Sequence, residues 1–147
     1  VVQALWERLD WVQFPAARTV DKNAYNILRI GLAVTFIWIG VLILRYPEAW
    51  GGYIMPWALK LMPMPLEQAM FSTAILDIIV GGFLLLNSFV WVASLVGTFH
   101  LVIVLVTSGI TDITVRDIGL LAATLALMIE TIPAQFIISL KKYIKNE

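Results

Sequence analysis

Between Asp77 and Asp112 the chain carries no Asp, Glu, Lys or Arg. As one helix that stretch would run roughly 50 Å, well past the ~30 Å apolar core of a bilayer. It has to fold back, and Asn87-Ser88 is the polar pair placed to make the turn. The stretch therefore reads as two spans, about 68–86 and 89–109, joined by a tight hairpin. Charged residues are only 14% of the chain and mean hydropathy is +0.90, against about 25% charged in average soluble domains.

Two further spans complete the expected pattern. Residues 26–45 are apolar between Arg29 and Arg45, which lie near the ends and are expected to snorkel. A fourth span opens at Arg116-Asp117 and runs through IGLLAATLALMI. It is expected to continue through a kink at Pro133 to about Leu140, giving a span of 117–140, because QFIISL resumes the apolar pattern. The expected fold is thus all-α: an integral membrane four-helix bundle over 24–147, preceded by an N-terminal amphipathic segment, 1–23. In that segment Val2, Leu5, Trp6, Leu9 and Val12 share a helical face opposite Gln3, Glu7 and Asp10. It suits a helix lying in the membrane interface, or one docked on protein. Glu7, Arg8 and Asp10 interrupt any signal-peptide apolar region.

Charge placement gives an orientation. Seven basic residues (Arg8, Arg18, Lys22, Arg29, Lys141, Lys142, Lys145) lie at the ends, against Arg45, Lys60 and Arg116 in the opposite loops. The positive-inside rule then puts both termini in the cytoplasm. Tyr25, Tyr46, Trp50, Tyr53, Trp57, Trp91 and Tyr143 fall near expected interfaces, whereas Trp38 lies inside a span.

Composition also excludes chemistry. There are no cysteines and one histidine, so this chain alone supplies no disulfide, thiolate metal site, Fe–S ligation or bis-His haem. Net charge is zero, which leaves no basic footprint for nucleic acid. No nucleophile–base pattern or phosphate loop is present, so no metal or catalytic centre is assigned. Met55, Met62 and Met64 in the 46–65 connector suggest a soft Cu(I) site only weakly, since no Cys or His lies near them in sequence. Adaptable packing explains them more simply. The connector itself is unusually apolar and is expected to lie in the interface or fold back over the bundle.

Asp77 is the sharpest feature, a carboxylate near the middle of a span, where ionisable residues are rare and functional by default. Reflection through the hairpin places position 98 opposite it, and His100 two residues along, roughly 3 Å away in depth. A polar pair Asp77–His100, joined by Thr98, is expected. It suits proton handling or a quinone headgroup; interhelical hydrogen bonding is the plainer account. Gly81-Gly82 on one span, and Ala93 with Gly97 on the next, are expected to let helices approach closely. Arg45, Arg116 and Asp117 are outer-face charges, suited to capping and anchoring or to binding an anionic group.

Several of these segments resemble DoxX-like membrane proteins: RIGLAVTFIWIG in the first span, LDIIVGGFLLLN in the second, and TVRDIGLLAATLAL at the fourth. IWIGVLILRYPEAWGGYIMP is similar to the YkgB-like branch, and the resemblance covers roughly residues 27–130. The family commonly has Glu before the Gly-Gly, where Asp77 stands, and the basic residue ending its first span is shifted here to Arg45. The resemblance implies a small subunit of a prokaryotic cytoplasmic-membrane redox system, of the thiosulfate:quinone oxidoreductase or oxidative-stress kind. The function expected first is a non-catalytic accessory or anchoring subunit, partnered by the bilayer and by other integral membrane subunits. The alternatives are a quinone-reducing oxidoreductase subunit and a small-solute or proton transporter. No cofactor is expected on this chain alone, with quinone or lipid as candidate ligands.

Overall fold

A computed structural model describes residues 21–133 and Ile138. The N-terminal amphipathic segment and the basic C-terminal residues of the sequence analysis lie outside the described residues. Within them the protein is helical, with no strand. The elements are α1 (Lys22–Arg45), α2 (Pro47–Gly51), α3 (Pro56–Leu61), α4 (Leu66–Leu85), α5 (Val90–Ser108) and α6 (Val115–Thr131).

Prolines set most of these boundaries. Pro47 disfavours helical geometry at Tyr46, which turns to φ −137°, ψ 59°, and the same proline opens α2 at its first turn. Pro56 opens α3 in the same way after an extended Met55, and Pro65 stands just before α4. Pro133 ends α6. Ile132, the residue before it, is extended at ψ 129°, so the helix stops at Thr131. α6 thus has 17 residues, about 25 Å of helix, and the expected continuation past Pro133 to Leu140 falls, apart from Ile138, outside the described residues.

The hairpin forms where expected. Ser88 N–H donates to the Phe83 carbonyl (3.0 Å) and Asn87 N–H to the Leu84 carbonyl (3.2 Å), closing α4 with a Schellman motif. That motif needs a left-handed residue, and Asn87 supplies it at φ 55°. Phe89 is also left-handed, at φ 49°, and its ring meets Phe83 edge-on at 6.1 Å between centroids.

The longer helices pack in the cyclic order α1 on α4, α4 on α5, α5 on α6 and α6 on α1, with the α1–α4 and α5–α6 pairs the most extensive. Three of them (α1, α4, α5) are long and apolar enough to cross a membrane. Their surfaces fit that solvent. Val34, Trp38, Ile79, Phe99 and Val106 are exposed, whereas Asp77, Ser94, Gly40 and Gly97 are inside. Apolar outside, with small and polar residues inside, is the pattern of helices surrounded by lipid rather than water.

Close approach depends on two glycines. A Cβ at Gly40 would meet the Ala74 carbonyl oxygen at 2.8 Å, and one at Gly81 would meet that of Ala33 at 2.8 Å. Each glycine lets α1 and α4 touch backbone to side chain.

Arg29 departs from its expected role. It is buried rather than snorkelling, and its Nη1 donates to the Leu84 and Leu85 carbonyls at the end of α4. A cation there satisfies carbonyls left without helical partners and complements the negative end of the helix dipole. Tyr25 lies beside it, with its hydroxyl donating to Asn87 Oδ1 at 3.0 Å. This cluster ties the start of α1 to the hairpin.

Candidate functional site

Asp77 lies on the inner face of α4, one position in a buried series that includes Met70, Ala74, Val80 and Leu84. The glycine opposite it, Gly40, has no side chain to contest the space: a Cβ there would come within 3.3 Å of Asp77 Cβ. Asp77 is 3% exposed. From α5, His100 Nε2 reaches to 3.2 Å from Asp77 Oδ1. The hairpin thus brings together the two residues that reflection through its turn placed at similar depth. The approach is a contact and not an aligned hydrogen bond, because Oδ1 lacks a directed donor among the described residues. A buried acceptor in that state is costly, and it has room to accept from something else.

Thr98 does not join the pair. Its hydroxyl donates to the Ser94 carbonyl at 2.8 Å and lies 3.1 Å from the Thr124 hydroxyl, across the α5–α6 interface. Two residues on a helix differ by about 200° in direction, so Thr98 and His100 face different neighbours.

The pair opens onto a cavity of about 360 Å³, within the range of small-molecule sites. Its walls are largely apolar: Phe36, Ile39 and Ile43 of α1, Met70 of α4, Leu101 and Val104 of α5, Leu120 of α6. Asp77 and His100 lie in its lining together with Arg116 and Asp117, at the start of α6. Arg116 Nε is 3.6 Å from Asp117 Oδ1, and its guanidinium lies 5.5 Å from the Trp50 ring centroid. Of the three end charges singled out in the sequence, Arg116 and Asp117 reach the cavity. Arg45 lies outside it, beside Tyr46, Glu48 and Glu67.

The connector closes this end of the molecule. It folds back over the helices, contributing Trp50, Tyr53, Ile54, Trp57 and Leu61 to the cavity. Met55 N–H donates to the Thr107 carbonyl at 2.8 Å, and the Met55 methyl packs where a side chain on Gly109 would be. Gly109 is left-handed at φ 69°, which ends α5 and leaves that space open. Met55 also accepts from Trp57 Nε1 at 3.2 Å. Among the described residues, no group of three or more His, Cys, Asp or Glu is arranged to hold a metal ion.

The small residues divide by role. Gly81 and Gly97 make close approaches, a Cβ on Gly97 meeting the Phe36 ring at 3.2 Å, and Ala93 is buried. Gly82, expected to pack as Gly81 does, has nothing within 4 Å of its missing Cβ and makes no close approach. Sequence reasoning missed Gly40, Arg29 and the inward-facing aromatics of the connector. Arg29 had a usable signal in its three-residue spacing from Asn26, whose Oδ1 accepts from Arg29 Nη2 at 3.4 Å; the others had none.

These features define a helical protein suited to a membrane, with a carboxylate–imidazole pair at a largely apolar cavity. Set against known proteins, the chain matches no family model, no curated protein and no solved structure.

Proposed function

We propose that this is a four-span integral membrane subunit whose cavity receives the headgroup of a quinone-class molecule. The observation carrying this reading is the meeting of Asp77 and His100 at the wall of a ~360 Å³ apolar cavity. A quinone ring is flat and apolar with carbonyl oxygens at its edge. The cavity offers it apolar walls, a ring N–H from His100 and a carboxyl group at Asp77. Reduction to the quinol takes two electrons and two protons. Asp77 and His100 are placed to pass protons to a carbonyl oxygen. The sequence has no cysteine and one histidine, so the electrons are assigned to a partner subunit.

The resemblance to DoxX-like proteins supports the same reading at the level of a redox-complex subunit. It also supports a prokaryotic cytoplasmic membrane as the location. Under this reading α6 is the fourth span, the connector faces outside and both termini face the cytoplasm. A purely accessory subunit, and a solute or proton transporter, are the readings the experiment must separate from it.

Trp50 and Trp57 line the cavity and provide the signal. Purified protein in lipid nanodiscs is titrated with a short-chain benzoquinone while tryptophan fluorescence is followed. Saturable quenching that is lost in Asp77→Leu and reduced in Trp50→Phe is expected. Quenching that never saturates, or is unchanged in Asp77→Leu, rejects the site and leaves the accessory reading. Proton flux into liposomes without any redox partner would favour transport instead.

A further inference from the structure

We infer that the cavity is entered sideways from the bilayer, through a gap between α3 and α5. The inference rests on the quinone-class reading above and adds the route and the kind of ligand.

Most residues lining the cavity are buried or half-buried, but Trp57, Leu61 and Ile103 are 46%, 75% and 59% exposed. These three belong to α3 and α5 and are all large and apolar. Arg116 is the remaining well-exposed member of the lining, and it is held at the connector end by Asp117 and Trp50. Ile103 lies five residues before the end of α5, about 7.5 Å below it along the axis. An opening framed by exposed apolar side chains at that depth faces hydrocarbon and not water. Its counterpart on the ligand is an apolar tail that stays in the leaflet while the polar head reaches Asp77 and His100.

The connector fits this route. Its Met55 is fixed to the end of α5 by the Thr107 hydrogen bond, so α3 leans on α5 through one backbone contact and a methionine packed at Gly109. The α1–α4 face, by contrast, is closed by the approaches at Gly40 and Gly81. A tailed ligand therefore meets its least obstructed path at the α3–α5 gap. The tail of a bound ligand then lies in that gap, with its headgroup at Asp77 and His100.

The test compares two probes of the same headgroup, one tailless and one alkyl-tailed, on the full chain in nanodiscs. Leu61→Phe and Ile103→Phe are combined to fill the gap without adding a tryptophan to the fluorescence signal. Binding of the tailed probe is expected to weaken about tenfold more than that of the tailless probe, the equivalent of roughly two buried methylenes. Equal weakening of both probes, or of neither, overturns the portal. As a second measurement, a tail-borne photoreactive group is expected to label peptides holding Trp57–Leu61 and Ile103–Thr107 in the unsubstituted protein. Labelling confined to α1 and α4 also overturns it. If neither probe binds the unsubstituted protein, the quinone-class reading fails, and the portal falls with it.

Discussion

Gly81 and Gly82 are neighbours in sequence with opposite surroundings. A methyl at Gly81 would meet Ile37 and the backbone of α1, whereas one at Gly82 would meet nothing within 4 Å. Gly81→Ala is therefore expected to force α1 and α4 apart and to cost about 1–3 kcal/mol, as overpacking does. Gly82→Ala is expected to leave stability unchanged or slightly raised, since alanine is the better helix former. Thermal unfolding in detergent reads both, and equal effects would contradict the packing described. At Asp77 the same logic separates structure from chemistry. Asp77→Asn keeps hydrogen-bonding capacity and loses the titratable group; Asp77→Leu loses both. If the pair is only an interhelical tie, Asn is tolerated and Leu destabilises by about 1 kcal/mol. The proposed proton role predicts normal assembly but lost quinone-linked turnover in Asp77→Asn, measured in the intact complex.

At the scale of elements, the hairpin end is held by one buried cation. Arg29 satisfies carbonyls at the end of α4, while Asn87 turns the chain in a conformation few residues accept. Arg29→Leu leaves those carbonyls unpaired and is expected to destabilise by roughly 1.5–3 kcal/mol, the range for hydrogen bonds to charged groups. Arg29→Lys is expected to rescue only part of this, because a single ammonium nitrogen gives up the second guanidinium nitrogen, Nη2, which donates to Asn26 Oδ1 at 3.4 Å while Nη1 serves the two carbonyls. Unfolding midpoints of the two variants, measured side by side, check the order; full rescue by lysine would show that charge alone matters there. The connector is the matching device at the other end. Its two short helices each begin at a proline, and it returns to α5 through Met55.

For the whole molecule, the testable quantity is orientation. The chain has no native cysteine, so single cysteines report accessibility cleanly. Cysteines at Gly52 and Asp112 are expected to react with a membrane-impermeant thiol reagent from outside, and one at Lys145 is not. External labelling at Lys145 would overturn either the four-span count or the inward termini. The same experiment places the cavity, since Gly52 belongs to the connector that covers it.

The sequence alone determined the long helices and the hairpin turn, not the two short helices of the connector. A charge-free stretch longer than a bilayer is thick can only double back, and Asn87-Ser88 was the polar pair far enough from both ends to leave a span on each side. It also brought Asp77 and His100 to similar depth, because residue rise along two antiparallel helices is fixed. Direction around the helix axis was not legible. Asp77, His100, Thr98 and Gly82 all lie in apolar runs, and an apolar exterior removes the polar face that normally marks which side points outward. Only packing decided that Thr98 turns to Thr124, that Gly82 makes no close contact, and that Gly40 makes room beside Asp77. Tertiary structure likewise decided the cavity. Its walls come from segments far apart in the chain, and no local pattern encodes the space left when the connector folds back across the helix ends.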